Sequence, residues 1–302
     1  MTTLTASARP VAGMFWMFAA GLSFVVMTAL VKSLGTSMNS IQAAFLRYVL
    51  GLVFLLPAMR SIMSTHLTPR LLTLFGLRGV VHAVAVMLWF FAMTQIPLAE
   101  VTAMNYMTPV YVTLGAALFL GEKLAFRRIA AILVALVGVL IILRPGFREV
   151  SAGHLAMLGT ALTLGGSYLL AKLLVRDVPP SVVVAHLSLW VTLALIPFAV
   201  AVWTQPSLRD LGVLFLVACF ATAGHYLMTL ALQAAPVAVT QPITFLQLIW
   251  ATLLGAVVFH ESVDVWVVAG GTLILCAVSF ISWREAVLNR RDLTPPSIAP
   301  KL

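Results

Sequence analysis

Ionisable side chains are scarce in this sequence, and several of them fall inside long apolar stretches. Arg78 and His82 are four residues apart, so they would share one face of a helix. A guanidinium beside an imidazole on such a face would contact an anionic or polar group of a bound molecule. Alternatively, Arg78 extends its long side chain to a polar surface. Glu100 either takes part in coupling through a proton or an ion pair, or caps the helix that it begins.

Aromatic and amide side chains form the second group of candidates. Amides and phenols donate and accept hydrogen bonds, while aromatic rings stack on flat molecules, so this group suits an uncharged heteroaromatic ligand. The alternative is that these side chains only join helices to one another. The candidates are Asn105, Tyr106, Gln241, Phe245, Gln247 and Trp250.

His225 precedes Tyr226 in the middle of another apolar stretch. A buried imidazole needs a hydrogen-bond partner, so His225 would line a cavity with Tyr226, and it could exchange protons near neutral pH. Arg47 is interpreted as a structural residue braced by backbone carbonyls. No histidine pair has the spacing of metal ligands beside a carboxylate or thiolate, so we expect no metal and no other cofactor.

The elements that position these residues follow from composition. The chain is 62% hydrophobic and only 9% charged, whereas soluble domains carry about 25% charged residues. We therefore predict an all-α integral membrane protein with ten transmembrane helices, each long enough to cross the bilayer. The predicted spans are 12–34, 41–60, 71–95, 98–120, 126–144, 152–174, 182–203, 209–233, 237–259 and 264–283.

The net charge of +9 would favour nucleic acid in a soluble chain, but here the basic residues lie between the apolar segments. With the N-terminus inside, twelve of the 18 Lys and Arg residues fall on the cytoplasmic side and four fall outside. Because positive loops stay in the cytoplasm, we predict a multi-pass protein of the bacterial inner membrane with both termini cytoplasmic. Its expected partners are the lipid bilayer, a small molecule, protons and a second copy in a homodimer, with no nucleic acid.

The sequence contains two related copies of one unit, with matching residues 139 or 140 positions apart. Pro97 and Glu122 recur as Pro236 and Glu261, each 139 residues later, and Gly13 recurs as Gly153 at a spacing of 140. Five helices per copy is an odd number, so the second copy must enter the membrane upside down. The predicted domains are 1–149 and 150–284, followed by a cytoplasmic tail over 285–302. Such five-plus-five inverted repeats are typical of secondary transporters.

Several short motifs then resemble the EamA-type branch of the drug/metabolite transporter superfamily. They are Phe45-x-Arg47, Leu77-Arg78-Gly79, Pro97-x-Ala99-Glu100, Thr108-Pro109, Gly121-Glu122, Leu143-Arg144-Pro145-Gly146, Ala235-Pro236 and His260-Glu261. The resemblance covers nearly the whole chain. It implies transport of a small organic metabolite through a central cavity lined mainly by the first, third, fourth, sixth, eighth and ninth helices. Many relatives carry an acidic cluster early in the ninth helix, and its absence at Thr244–Gln247 argues against a cation recognised by an acid.

We therefore expect a transporter and not an enzyme, working by alternating access. The expected substrate is a neutral or zwitterionic heteroaromatic metabolite, first riboflavin-like and second S-adenosylmethionine. An exporter of amino acids or amphipathic drugs is the alternative within the same class. An intramembrane enzyme acting on lipid is the alternative from another class, and it would need acids and histidines clustered at one membrane face. The sequence has no GxxxxGK[ST] motif for ATP.

Overall fold

A computed structural model describes residues 10–35, 37–58, 65, 67–121, 126–174, 177–235 and 240–293. Over these residues the chain forms ten helices, the fourth of which is in two pieces. Two 3₁₀ segments, Leu52–Ala58 and Gln241–Thr244, extend the second helix and precede the ninth. The helices are α1 Pro10–Ser33, α2 Ser40–Gly51, α3 Pro69–Gln95, α4a Leu98–Asn105, α4b Thr108–Leu120, α5 Phe126–Leu143, α6 Ala152–Leu174, α7 Pro180–Ala201, α8 Leu208–Ala234, α9 Phe245–Phe259 and α10 Val265–Leu293.

Seven of these helices are long and apolar enough to cross a membrane by length and composition. The exceptions are the second, fourth and ninth, which are short or interrupted. Helix α10 continues to Leu293, past residue 285, where the polar tail was predicted to begin. The chain is thus a helical, multi-pass membrane protein.

The fourth helix is interrupted at Tyr106 and Met107, although the sequence predicted one span over 98–120. Pro109 is the cause, because it has no N–H and its ring would clash with the carbonyl of Asn105 in a continuous helix. The N–H of Val110 bonds instead to the carbonyl of Met107 at 3.0 Å. The chain restarts there as α4b, with the proline in its first turn.

Helix packing follows the symmetry of the repeat. If α1 to α5 are matched in order with α6 to α10, the α1–α8 contact is the counterpart of α6–α3, and both are extensive. The α2–α8 contact has its counterpart in α7–α3, and α1–α9 in α6–α4b. Helices α5 and α10 pack on each other and are their own counterparts. The two halves are therefore related by a pseudo-two-fold axis, as an inverted repeat requires.

The symmetry extends to single residues. Gly13 lies where α1 meets the end of α8, and a Cβ atom there would approach the Cβ of Ala235 at 2.4 Å. Its counterpart Gly153 lies where α6 meets the end of α3, and a Cβ there would approach that of Gln95 at 2.6 Å. Both positions need glycine because two helices touch there.

The bundle has two ends, which we name after residues that they contain. The Glu100 end holds the connections α1–α2, α3–α4a, α5–α6, α7–α8 and α9–α10. The Lys172 end holds the remaining connections, several residues of which, including Glu122, lie outside the described ranges.

Candidate functional site

The Glu100 end is tied together by a carboxylate that receives three hydrogen bonds. Glu100, in the first turn of α4a, is 4% exposed. Arg148, in the α5–α6 connection, donates from Nη1 to Oε1 at 2.9 Å and from Nη2 to Oε2 at 2.8 Å. His154 of α6 places Nε2 at 2.6 Å from Oε2. This paired geometry is a strong one for an arginine and a carboxylate.

Neighbouring groups fix the protonation pattern of this cluster. The backbone N–H of Ser151 donates to Nδ1 of His154 at 3.0 Å, so Nε2 carries the hydrogen and donates it to Glu100. Hydrogen bonds with Glu100 raise the pKa of Arg148 above its ordinary value. Asp264, which precedes α10, pairs with Arg144 and lies 3.7 Å from Nη1 of Arg148. The cluster therefore joins the first half, the connection between the halves, and the last helix.

A second cross-link at this end involves Lys32 and Glu261. Lys32 at the end of α1 places Nζ at 2.5 Å from Oε1 of Glu261 and donates to the carbonyl of Ile96 at 2.9 Å. The other carboxylate oxygen of Glu261 accepts the N–H of Leu98, the first residue of α4a, at 2.9 Å. An acid from the second half therefore caps a helix of the first half.

The side chain of Gln42 adds a third link at the Glu100 end. Its Nε2 donates to the carbonyl of Thr204 at 2.6 Å, and its Oε1 accepts the N–H of Thr204 at 2.9 Å. Helix α2 is thereby fastened to the α7–α8 connection. Every described connection at this end takes part in a polar contact with another part of the bundle.

The Lys172 end contains a cavity of about 490 Å³. Helices α4b, α5, α6 and α10 contribute its walls, so it is not lined mainly by the first, third, fourth, sixth, eighth and ninth helices, as the resemblance implied. Polar groups from Thr113, Ser282 and Tyr168 line it together with Arg128 and Lys172, and the other wall residues are Pro109, Val112, Ala116, Val278 and Ile281. Over the described residues the two ends thus differ, because buried ion pairs link the connections at one end and this cavity lies at the other.

Arg78 and His82 lie on one face of α3, as their spacing predicted, and both are buried. Nη1 of Arg78 donates to the carbonyl of Val183 at 3.0 Å, while its Nε is buried without a hydrogen-bond partner. Nδ1 of His82 lies 3.0 Å from the hydroxyl of Ser167. Arg78 is thus inside the bundle and does not extend to a lipid-facing surface.

Arg47 and His225 approach this pair from α2 and α8. The charges of Arg47 and Arg78 act on His82, and that of Arg47 acts on His225. Within the described residues Arg47 makes no hydrogen bond, and its guanidinium lies 4.2 Å from the ring centre of Tyr48. The expectation that backbone carbonyls brace Arg47 is therefore wrong. His225 retains an exposed surface and contacts Phe24 edge-on at 5.1 Å between ring centres.

The interrupted fourth helix meets the start of the ninth. The hydroxyl of Tyr106 donates to the carbonyl of Thr244 at 2.9 Å, next to Asn105, which is half-buried. Gln247 lies along α1, with its Cβ 3.8 Å from the position a Cβ at Gly21 would take. The two repeat-related regions are thus in contact, while the predicted ligand-binding roles of their residues stay predictions.

The remaining predicted residues are placed less centrally. Trp250 is 38% exposed and contacts Phe18 edge-on at 6.4 Å between ring centres. Tyr226 is 65% exposed. The side chains of Gln241 and Phe245 lie outside the described residues. The structure therefore groups Arg78, His82 and His225, and separately brings Tyr106 and its neighbour Asn105 to the start of α9, while Gln247 lies against α1.

Sequence reasoning missed the partners of Glu100. Arg148 and His154 follow it by 48 and 54 residues and were not considered together with it. One signal was available, because an acid inside an apolar stretch needs a base at the same membrane face. The predicted topology put Arg144 and Arg148 on that face.

Comparison with known proteins matches two segments of the chain, residues 11–144 and 151–283, to the EamA-like transporter family. A riboflavin transporter of Rhizobium johnstonii is 29% identical over 94% of this chain and 95% of its own. A pseudopaline exporter, CntI, of Pseudomonas aeruginosa is 28% identical over 87% of this chain and 93% of its own. An S-adenosylmethionine uptake transporter of Rickettsia bellii is 22% identical over 90% and 94%, respectively.

The fold also has a counterpart among crystal structures. One solved chain superposes with a TM-score of 0.59 at 19% identity, covering 94% of this chain and 99% of that one. This likeness concerns the fold alone. The family matches span both halves of the inverted repeat, and the relatives named above are transporters and not enzymes. The chain therefore belongs to the EamA-like transporter family.

Proposed function

We propose that this protein is a secondary transporter of the bacterial inner membrane that moves a heteroaromatic metabolite by alternating access. The main support is the difference between its two ends, since ion pairs close the Glu100 end while a cavity of about 490 Å³ lies at the Lys172 end. Exchange of closed and open ends is what alternating access requires.

The distribution of Lys and Arg supports the orientation. Under the predicted topology the Lys172 end is cytoplasmic, and it holds the termini together with Arg70, Arg128 and Lys172. The conformation described here is then open to the cytoplasm. Rotation of the halves about their pseudo-two-fold axis would close the cavity and separate Lys32 from Glu261.

The interrupted helices are suited to such a motion. Tyr106 and Thr244 lie where the fourth helix and the start of the ninth lack regular α-helical bonding, near the pseudo-two-fold axis. In transporters of this kind, substrates bind beside discontinuous helices near the midplane. We place the ring of the substrate there, against Tyr106 and Trp250, with Asn105, Gln241 and Gln247 as hydrogen-bonding groups and Phe245 as a stacking group.

We also propose that Glu100 couples transport to protons. Its carboxylate holds Arg148 and His154, so adding a proton to Glu100 would weaken both contacts and loosen the Glu100 end. Asp264, near Arg148, would then be the remaining acid to hold the arginine.

Riboflavin is the first substrate to test, since a riboflavin transporter is among the similar proteins. The purified protein would be placed in vesicles loaded with unlabelled riboflavin, and uptake of labelled riboflavin would be measured. We expect saturable uptake that unlabelled riboflavin outside the vesicles inhibits. Absence of uptake in correctly inserted protein would refute the riboflavin assignment, and S-adenosylmethionine would be tested next.

Export is the second candidate, favoured by the similarity to the pseudopaline exporter. Amino acids and amphipathic drugs would then be the substrates. A deletion strain that accumulates labelled amino acids or dyes, yet takes up riboflavin normally, would support export over uptake.

A further inference from the structure

The middle of the bundle holds positive charge without a matching acid. Arg78 is 5% exposed and Arg47 is half-buried. Within the described part of the chain neither guanidinium forms an ion pair, and the ion pairs found there all lie at the two ends. A buried cation in a membrane protein normally has a partner or faces a polar cavity.

The helices around these arginines offer no acid. Helices α1, α2, α3, α6 and α7 contain no Asp or Glu. The acid of α8, Asp210, is in its first turn at the Glu100 end and is bonded to Ser207. The missing negative charge therefore cannot come from a rotamer change of a neighbouring side chain.

Several polar atoms near Arg78 are buried without partners. Its Nε, both ring nitrogens of His186 and the indole nitrogen of Trp190 are buried without hydrogen-bond partners. These groups belong to the contact between α3 and α7, where His186 stacks on Phe75 at 4.4 Å between ring centres and Trp190 packs on Gly79. Buried polar groups without partners indicate a place that is completed by water, an ion or a ligand.

Tyr168 is shared by this region and the open end. Tyr168 lines the cavity at the Lys172 end, and it is close enough to Arg78 to interact with it electrostatically. Arg128 and Lys172 also line that cavity. The field of these basic groups favours negative ligands in the cavity beside Tyr168.

We propose that the transported molecule carries a negatively charged group, a carboxylate or phosphate, that binds between Arg78 and Arg47. Tyr48 connects the two places, since its ring centre lies 4.2 Å from the guanidinium of Arg47 and 6.4 Å from the ring centre of His82, one turn from Arg78. This inference rests on the proposed transport function but departs from riboflavin as its first substrate, because an uncharged molecule would leave both cations without a negative partner. A carboxylate or phosphate matches the planar donor fork of arginine.

The test uses two pairs of compounds that differ by one ionised group. They are nicotinate against nicotinamide, and riboflavin 5′-phosphate against riboflavin. Thermal unfolding of the purified protein in neutral detergent is followed against compound concentration at constant ionic strength. We expect the charged member of at least one pair to stabilise the wild type with an apparent Kd about tenfold or more below that of its neutral partner.

Single substitutions test whether the preference for the charged compound depends on Arg78 and Arg47. Arg78→Gln and Arg47→Gln should each remove most of the preference for the charged member, while Arg78→Lys should keep part of it. Arg70→Gln is the matched control, since Arg70 is exposed at the Lys172 end and lies 3.9 Å from Asp177; it should keep the full preference. Arg47→Gln provides the answer if Arg78→Gln does not fold.

Three results would overturn the proposal: equal stabilisation by both members of both pairs, no stabilisation by any compound, or a preference that survives both Gln variants. A fourth would be an Arg78-dependent shift caused by phosphatidylglycerol alone, compared with phosphatidylcholine, because the anion would then be a lipid headgroup. Failed riboflavin uptake with an intact charge preference would refute the riboflavin assignment and leave the anion site standing.

Discussion

The hydroxyl of Tyr106 donates a hydrogen bond of 2.9 Å to the backbone carbonyl of Thr244. The partner of Thr244 in the first repeat is Asn105, the neighbour of Tyr106 in sequence. The bond therefore joins the two copies of the repeat at nearly equivalent positions, where each copy departs from regular α-helix. It is a direct cross-link between the two halves of the inverted repeat.

Replacing Tyr106 by Phe removes this cross-link and keeps the ring. We expect the free energy of unfolding to fall by about 1 kcal/mol, the usual net value of one hydrogen bond, and transport to slow. Thermal unfolding in detergent and counterflow uptake would measure both. Tyr111→Phe is the control, because the hydroxyl of Tyr111 has no hydrogen bond within the described structure; an equal loss there would contradict the assignment.

Replacing Pro109 by Ala restores an N–H and removes the ring that interrupts the fourth helix. We expect the helix to become more continuous at Tyr106 and Met107. Stability should be retained or raised, whereas transport should fall about tenfold, or ~1.4 kcal/mol in activation free energy. Pro197→Ala in α7 is the control for a proline inside a helix. Unchanged transport in the Pro109 variant would show that the interruption is not needed for movement.

Breaking the Lys32–Glu261 pair should destabilise the Glu100 end. Because the pair is largely buried and also holds the N–H of Leu98, Glu261→Gln should cost ~2–4 kcal/mol. Asp177→Asn, which breaks the exposed contact with Arg70, should cost less than about 1 kcal/mol.

The exchanged variant Lys32→Glu with Glu261→Lys tests whether the charges act on each other. It should recover part of the lost stability, but not the cap on α4a, since lysine cannot accept the N–H of Leu98. Thermal unfolding gives the stabilities of the wild type, Lys32→Glu, Glu261→Lys and the double variant. A double variant no more stable than the sum of its single changes would rule out direct pairing.

Replacing Glu100 by Gln keeps the shape and removes the charge. If Glu100 couples protons, uptake driven by a pH gradient should lose its stimulation, while counterflow without a gradient should continue. Arg148 would lose the closer of its two acidic partners and keep only Asp264, so a lower unfolding temperature is also expected. Glu149→Gln changes an exposed acid of the same connection and should keep the stimulation. If a pH gradient still stimulates uptake by Glu100→Gln, Glu100 does not couple transport to protons.

Much of the architecture is readable from the sequence. The recurrence of Pro97 as Pro236, together with odd numbers of apolar segments, led to the inverted repeat that the helix contacts display. The spacing of Arg78 and His82 placed both on one buried face. These features depend on local or periodic sequence patterns, so they can be predicted without knowing how the helices pack.

Tertiary details were harder to foresee. The apolar pattern of 98–120 runs straight through Pro109, so the length of the segment outweighed the effect of the proline on helical bonding. Glu100 and His154 come together because α4a and α6 pack side by side, and that geometry has no signature in their spacing. Arg47 lost its expected carbonyl partners for a similar reason, because only the packed bundle shows what surrounds it.

Among the residues that the structure describes, no acid pairs with Arg78 or Arg47, and this has a consequence for the empty carrier. If the substrate supplies the negative charge, the empty protein has two arginines without a negative partner in the closed intermediate, where water is excluded. With substrate bound, the arginine site is nearly neutral in the same closed intermediate. The reorientation of the empty form should then be the slow step, and the protein should exchange one anion for another much faster than it moves a single anion across the membrane.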